Sequence, residues 1–135
     1  MTKLQRMDAD MNATGNEPEH DDNTMVLTNG TIVETLADFS KKITIPATLQ
    51  PGGLVVVFRD PSHEDLEFFE TQMKTAETRL EAVKRFGVRL CIQWGDKNGV
   101  TVPQWDKLRG IVSVTLAKVL DDFFPNVQAA EGIVS

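Results

Sequence analysis

The spacing of apolar residues divides the chain into a strand-rich first half and a helix-rich second half. KKITI (41–45) is β-branched, and LVVVFR (54–59) is the strongest strand pattern in the sequence. A proline and two glycines at 51–53 supply a turn between them. Together these segments predict a β-hairpin. Because 55–58 is apolar on both faces, we expect a helix to cover this strand.

The segment before this hairpin allows two interpretations. A short β-prone run (MVLT) leads into an Asn-Gly pair at 29–30, which is a strong turn signal. Thr31–Glu34 then matches a capping box with apolar residues at helical spacing, which predicts a short helix over 32–40. A strand over 31–36 fits the same residues, and the sequence leaves both open.

The stretch RDPSHEDLEFFE (59–70) joins the hairpin to a long helix. Pro61 ends the strand, because proline has no N–H and pushes the residue before it toward extended geometry. Ser62 followed by Asp65 forms a Ser-x-x-acid capping box at the start of the helix. The helix has one apolar stripe, formed by Leu66, Phe69, Met73, Ala76, Leu80 and Val83. The stretch therefore predicts a helix start and not a catalytic loop.

The residues that follow this helix fit two patterns. VRLCIQW (88–94) alternates apolar and polar residues with a strand period. The helical stripe, however, also continues through Gly87, Leu90 and Trp94. We interpret 88–94 as helix, because a strand here would need a partner far back in the chain.

A last helix is predicted after the turn GDKNG (95–99). Thr101 and Gln104 form a second capping box, and Pro103 lies in the first turn, where its missing N–H costs nothing. Pro125 ends the helix. Its wide apolar face consists of Trp105, Leu108, Ile111, Val112, Leu116, Val119, Leu120, Phe123 and Phe124.

These elements predict an α+β protein, with a short β-hairpin region followed by a mainly helical domain. We expect a single domain over 24–125 and a frayed C-terminus over 126–135. Residues 1–23 predict a disordered acidic tail, with an acidic interaction arm as the alternative, and this segment has six acidic residues and two basic ones. The apolar residues of this tail are too sparse to offset the entropy of ordering it.

Charge and hydropathy limit the classes of partner. The net charge of -6 and the pI near 4.8 oppose a nucleic-acid binder, since phosphates are held by clustered Lys and Arg. No apolar run reaches the roughly eighteen residues of a membrane span, and the N-terminus lacks the apolar segment of a secretory signal. We therefore expect a protein of the cytoplasm, without nucleic-acid or membrane partners.

Residues that could carry chemistry are few and scattered. His20 and His63 are too far apart for a zinc site, and Cys91 lies alone in an apolar run. We interpret His63 as part of an exposed first helical turn, and Cys91 as a packed thiol and not a nucleophile. No phosphate-loop pattern follows Gly52-Gly53. The sequence therefore predicts no enzyme activity, no metal and no cofactor.

The aromatic residues of the helical half are the candidate contacts for a protein partner. The pairs Phe68-Phe69 and Phe123-Phe124 each place one ring toward the core and leave the other near its rim, where a partner would cover it. Burial in the protein's own core is the alternative for all of them. The candidate partner-binding residues are Phe68, Phe69, Trp94, Trp105, Phe123 and Phe124.

A hairpin, an Arg-x-Pro-Ser-x-x-Asp-Leu joint and a helical remainder follow one another over about 42–124. The joint consists of Arg59, Pro61, Ser62, Asp65 and Leu66. This order resembles the small tail assembly chaperones of long-tailed bacteriophages, in which the joint is Arg-x-Pro-Thr-like. The resemblance implies a non-enzymatic chaperone that binds a long helical tape-measure-like protein and recruits tail tube subunits. It does not account for the acidic tail.

A second class of function stays open. A permanent virion component, of the head-completion or tail-terminator type, would assemble into a ring through exposed strand edges. The chaperone instead predicts a protein that pairs with a long helical client and is absent from finished particles. A homo-oligomer is compatible with both.

Overall fold

In the computed structural model, residues 23–122 are described, and they form an antiparallel sheet covered on one face by helices. The five strands of this region run in chain order across the sheet. They are β1 (Thr24–Val26), β2 (Ile32–Thr35), β3 (Lys41–Ile45), β4 (Leu54–Phe58) and β5 (Cys91–Trp94). The helices are α1 (His63–Thr75), α2 (Arg79–Leu90), α3 (Val102–Asp106) and α4 (Gly110–Asp121).

The predicted α+β class is confirmed, although the sheet is larger than the expected hairpin. β3 and β4 form that hairpin, with Ile43 opposite Val56. The α1–α2 pair lies between β4 and β5 in the chain. The tail predicted over 1–23 lies, except for Asn23, outside the described residues, and so does the C-terminal end predicted over 126–135.

The core lies between one face of the sheet and the helices α2 and α4. Residues two apart in a strand share a face, so Ile43 and Ile45 of β3 lie on the same side as Val56 and Phe58 of β4. All four are buried. The helices complete the cluster with Val83, Phe86, Leu90, Val112, Leu116 and Leu120. Burial at about 25 cal/mol per Å² of apolar surface holds the two layers together.

Residues 32–40 form a strand and a turn, so the predicted short helix is wrong and the strand alternative is right. β2 has β1 on one side and β3 on the other, which satisfies its backbone groups without a helix. Thr31 does not cap a helix, because its own N–H donates to Asn29 Oδ1 at 3.0 Å within the Asn-Gly turn. The backbone hydrogen bonds to two neighbouring strands stabilise this short segment more than a helix of the same residues would.

The helix predicted through 88–94 ends at Leu90, and Cys91–Trp94 is a strand. Its partner is β4, with Phe58 opposite Cys91. The α1–α2 pair reverses the chain and brings it back beside β4. β5 thus pairs with a strand far back in the chain. The need for such a partner was the reason for predicting a helix here.

Both long helices predicted from the sequence are interrupted. The first breaks at Ala76, which is extended, and Thr78 starts the next helix by accepting a hydrogen bond from Glu81 N at 3.1 Å. The second breaks before Gly110, while the capping box predicted at Thr101 is confirmed. The first break allows α1 to pack against α2.

Gly87 lies inside α2, where this helix meets Trp105 and Leu120. A Cβ at this position would lie 2.6 Å from Leu120 Cδ1 and 2.8 Å from the Trp105 ring. Gly87→Ala gains about 1 kcal/mol of helix propensity, but overpacking against a rigid indole costs about 1–3 kcal/mol or more. Because three atoms would lie closer than 3.0 Å to this Cβ, the cost falls at the upper end of that range. We therefore expect a net loss of about 1–2 kcal/mol in the free energy of unfolding, measured by urea denaturation.

Gly110→Ala is the matched control for this substitution. A Cβ at Gly110 would meet nothing within 4 Å, so we expect no loss of stability. A Gly87→Ala protein as stable as the wild type would show that α2 does not require this close approach.

Candidate functional site

The joint between β4 and α1 is organised around the buried carboxylate of Asp65. Arg59 donates to it from both Nη atoms, with Nη2 2.9 Å from Oδ1. Arg89 on α2 donates from Nε to Oδ1 at 2.7 Å. Ser62 donates its backbone N–H at 2.8 Å and its hydroxyl at 3.0 Å, and accepts from Asp65 N in return. The predicted capping box is confirmed, and two arginines are added to it.

These donors occupy the lone pairs of the Asp65 carboxylate and keep it ionised. Hydrogen bonding from Arg59, above all, lowers the pKa of Asp65 well below its usual range. The carboxylate therefore holds together Arg59, which follows β4, the first turn of α1 and the last turn of α2. Sequence reasoning found the Ser62 cap but missed Arg89, which lies 24 residues away. The sequence did contain a signal for this ion pair, because Arg59 precedes the acidic capping box and Arg89 lies near the end of the following helix.

The four candidate partner-binding residues within 23–122 do not form one groove. Phe69 packs on Phe86, with ring centroids 5.0 Å apart. Phe68 is half-buried, and the Arg89 guanidinium lies 4.7 Å from its ring centroid. The Phe123-Phe124 pair lies outside the described residues.

Trp105 is a core residue, which corrects its assignment as a partner contact. It is 2% exposed, and its ring centroid lies 5.7 Å from that of half-buried Trp94 and 6.2 Å from that of Phe58. Its Nε1 donates to Ser113 Oγ at 2.9 Å. Both the apolar surface and the N–H of the indole are thus satisfied within the protein.

The described residues offer no cluster for metal or nucleophilic chemistry. No group of three or more His, Cys, Asp or Glu between 23 and 122 could hold a metal ion. His63 is exposed in the first turn of α1, with Nε2 3.4 Å from Glu67 Oε2. The buried Cys91 thiol donates to Gln93 O at 3.2 Å. Burial raises the pKa of Cys91 to about 11, which disfavours the thiolate that a nucleophile requires.

The outer face of α4 is apolar and exposed. The helix sequence GIVSVTLAKVLD has only two charged residues, Lys118 and Asp121. Its inner side joins the core, but Ile111 and Val114 are 44% and 54% exposed. A helix that is apolar all round is normally buried on all sides. α4 therefore carries more apolar surface than the described part of its own domain covers.

Two open grooves flank this face of α4. The α2–α4 groove, of about 250 Å³, is lined by Arg79, Leu80, Val83, Val114, Ala117 and Lys118. The β1–α4 groove, of about 390 Å³, is lined by Val26, Leu27, Ile111, Val114, Thr115 and Lys118. Each groove has an exposed apolar residue of its own on the facing element, Leu80 at 50% and Val26 at 62%.

Among residues 23–122, the charged side chains at the grooves leave one cation without an ion pair. Arg79 Nη2 pairs with Asp121 Oδ1 at 2.9 Å, between the N-terminus of α2 and the C-terminus of α4. Lys118, which lines both grooves, forms no ion pair with any residue from 23 to 122. As far as the described residues show, the surface is therefore apolar with an unpaired positive charge beside it. Sequence reasoning named α4 as a wide apolar face but did not single out Ile111 and Val114 as exposed.

The chain matches no known protein-family model, no curated protein and no solved structure. Within the part of the chain that the structure describes, no helix has the length and apolarity needed to cross a membrane. Function must therefore follow from the chemistry of the site and not from relatedness.

Proposed function

We propose that this protein is a non-enzymatic binding module that holds a helix of a protein client in the α2–α4 groove. We place it with the tail assembly chaperones of long-tailed bacteriophages, which bind a long helical tape-measure-like protein and recruit tail tube subunits. The observation that carries the proposal is the exposed apolar face of α4, with Val114 on one side of the groove and Leu80 on the other.

A helix suits this site because the groove itself lies between two helices. An amphipathic helix lays its apolar face into such a groove, with anchors at i, i+3, i+4 and i+7. Val83 and Ala117 line the groove with small side chains, which lets a third helix approach closely. The unpaired Lys118 favours a client with an acidic residue beside its apolar stripe.

The order of elements also supports the chaperone class. The β3–β4 hairpin, the joint at Asp65 and the helices α1 and α2 follow one another as the resemblance implies. The joint residues Arg59, Ser62 and Asp65 are bound to one another, which supports a structural use of the motif. The strands β1, β2 and β5 enlarge the sheet beyond the short β region of the resemblance.

A ring-forming virion component is the second candidate, and the edges of the sheet favour it. Among the described residues, β1 and β5 each pair with a strand on one side only. Val26 on β1 and Ile92 on β5 are exposed there. Unpaired edges are templates for another chain, so this candidate predicts closed rings that form without a client.

The proposal is tested by co-expression with the longest helical protein encoded beside its gene. We expect the tagged wild type to retain this client through affinity purification. Leu80→Ser and Val114→Ser remove exposed anchors without opening the core, and we expect each to weaken retention about tenfold, because truncating a central anchor costs about 1–2 kcal/mol of binding. Retention is measured on complexes purified at equal protein concentration.

Met73→Ser is the control, because Met73 is an exposed apolar residue of α1 that lines neither groove. It should bind as the wild type does. A double variant of Leu80 and Val114 that retains the client undiminished would reject the groove. A wild type that retains no client but forms rings would favour the virion component.

A further inference from the structure

The loop between β2 and β3 holds an aromatic side chain on a strained backbone. Leu36 to Phe39 form a tight turn, with Phe39 N donating to Leu36 O at 2.9 Å. Phe39 has a φ of 68° and is 67% exposed. Left-handed backbone is unfavourable for an L-residue with a Cβ, and hairpin loops of this kind normally place glycine there.

Within the described residues, the Phe39 ring contributes nothing to the core that would offset this strain. It lies outside the buried cluster and makes no contact with another ring between 23 and 122. Strained residues persist mainly where they serve a function. An exposed aromatic ring at the tip of a rigid hairpin has the form of an anchor for a partner's pocket.

The β1–α4 groove lies at the other end of β2. It is lined by the turn between β1 and β2, whereas Phe39 follows the C-terminal end of β2. The strand between them has 4 residues, which span about 13 Å. Because the sheet fixes both ends of this strand, the Phe39 ring of a molecule cannot enter that molecule's own groove.

The charges beside the ring and the groove are complementary. Asp38 is exposed next to Phe39, and its Oδ1 accepts a hydrogen bond from Ser40 N at 3.0 Å. This bond lowers the pKa of Asp38, because it favours the ionised carboxylate. The groove presents apolar walls and the ammonium of Lys118, which has no ion-pair partner within residues 23–122.

We propose that Phe39 of one copy inserts into the β1–α4 groove of a second copy, with Asp38 facing Lys118. Each molecule then offers the ring and the groove on different surfaces, so the contact is head-to-tail and builds rings or open chains. The inference goes beyond the proposed function and does not rest on it. Of these two grooves, Leu80 lines the α2–α4 groove and not the β1–α4 groove, and Val26 lines the β1–α4 groove and not the other, so the two can be tested separately.

The contact is expected to be weak. A buried phenylalanine ring contributes about 150–250 Å², whereas stable interfaces bury about 1,200–2,000 Å² in total. A contact formed by one ring and its neighbouring residues buries an area near or below the lower limit of stable interfaces. We therefore expect a dissociation constant on the order of 10 μM to 1 mM.

Sedimentation velocity of the full chain, from about 10 μM to 1 mM, tests the contact. The wild type should show an average mass that rises with concentration. Phe39→Gly removes the ring and Val26→Glu blocks the groove, and each variant alone should remain monomeric. An equimolar mixture of the two should form a 1:1 dimer and nothing larger, because one intact ring and one intact groove remain.

Met25→Glu is the matched control. It adds the same charge to the same strand at an exposed position that lines neither groove, and it should associate as the wild type does. Phe39→Gly should also raise the melting temperature by about 2–5 °C, because it relieves the strained turn. That result would show that the loss of association is not a loss of folding.

Three results would overturn the inference. The wild type could remain monomeric up to the highest concentration. Phe39→Gly could associate as strongly as the wild type, which would point to a pairing of sheet edges or helix faces. The mixture of the two variants could remain monomeric, which would exclude a head-to-tail contact between ring and groove.

Discussion

Trp105→Ala is expected to lower the free energy of unfolding by about 3–5 kcal/mol. The indole is buried against Phe58 and Trp94, and its N–H donates to Ser113. Its removal leaves a cavity beside Gly87, whose backbone contacts the ring so closely that no Cβ fits there. The loss is a large fraction of the roughly 5–15 kcal/mol that stabilises a domain of this size. Urea denaturation followed by circular dichroism measures it.

Phe68→Ala is the comparison for this prediction. Phe68 is half-buried beneath Arg89, and we expect a loss of less than about 2 kcal/mol, since less apolar surface is removed from the interior. A Trp105→Ala protein within about 1 kcal/mol of the wild type would contradict the assignment of Trp105 to the core. That result would make Trp105 a candidate partner contact again.

Asp65→Ala is expected to cost about 3 kcal/mol of stability. Breaking a buried ion pair costs about 3–5 kcal/mol when one partner is removed, and the half-exposed Arg59 and Arg89 place this site at the low end. The variant also loses half of the capping box of α1. Asp60→Ala, an exposed acid on the same joint, should change stability by less than about 0.5 kcal/mol.

The same carboxylate sets part of the acid sensitivity of the fold. Because the pKa of Asp65 is lowered in the folded state, its contribution is fully present above the unfolded value of about 3.9. That contribution is lost as the pH falls below that value toward the folded pKa. The wild type should therefore lose stability steeply below about pH 4, and Asp65→Ala should lose less over the same window. Equal slopes for the two proteins would contradict the arginine-bound carboxylate.

Local signals in the sequence predicted the hairpin and the helix starts well. Turn residues and β-branched runs mark β3 and β4, and the boxes at Ser62 and Thr101 begin α1 and α3 as expected. Such signals act over a few residues, so they do not depend on the rest of the fold. The predictions made from these local signals are correct here because the tertiary packing favours the same turns and helix starts.

The predictions that failed depend on contacts between distant segments. Cys91–Trp94 becomes a strand because α1 and α2 return the chain to β4, and the helical spacing at 32–40 gives way to pairing with β1 and β3. The two helix breaks lie at positions with no proline. The helical spacing of apolar residues continues without interruption across Ala76 and Arg109, although both residues have extended backbone in the structure.

The partner site was predicted from residue type, whereas our proposal places it by exposure. Large aromatic rings suggested a partner surface, but Trp105 and Phe69 pack within the protein. The exposed surface is made of smaller apolar residues, Ile111 and Val114 on α4. A nearly uncharged helix sequence was the signal available for it, since a helix that is apolar on most of its surface normally has other elements packed on every side.

The most direct test of the client groove is methyl NMR of the full chain in complex with the helical client. We expect contacts between client protons and the methyl groups of Leu80, Val83 and Val114, together with large shifts of these signals. The Met73 methyl on α1 should keep its position. Client contacts confined to the sheet edges, with the Leu80 and Val114 signals unchanged, would contradict the claim that the α2–α4 groove holds the client.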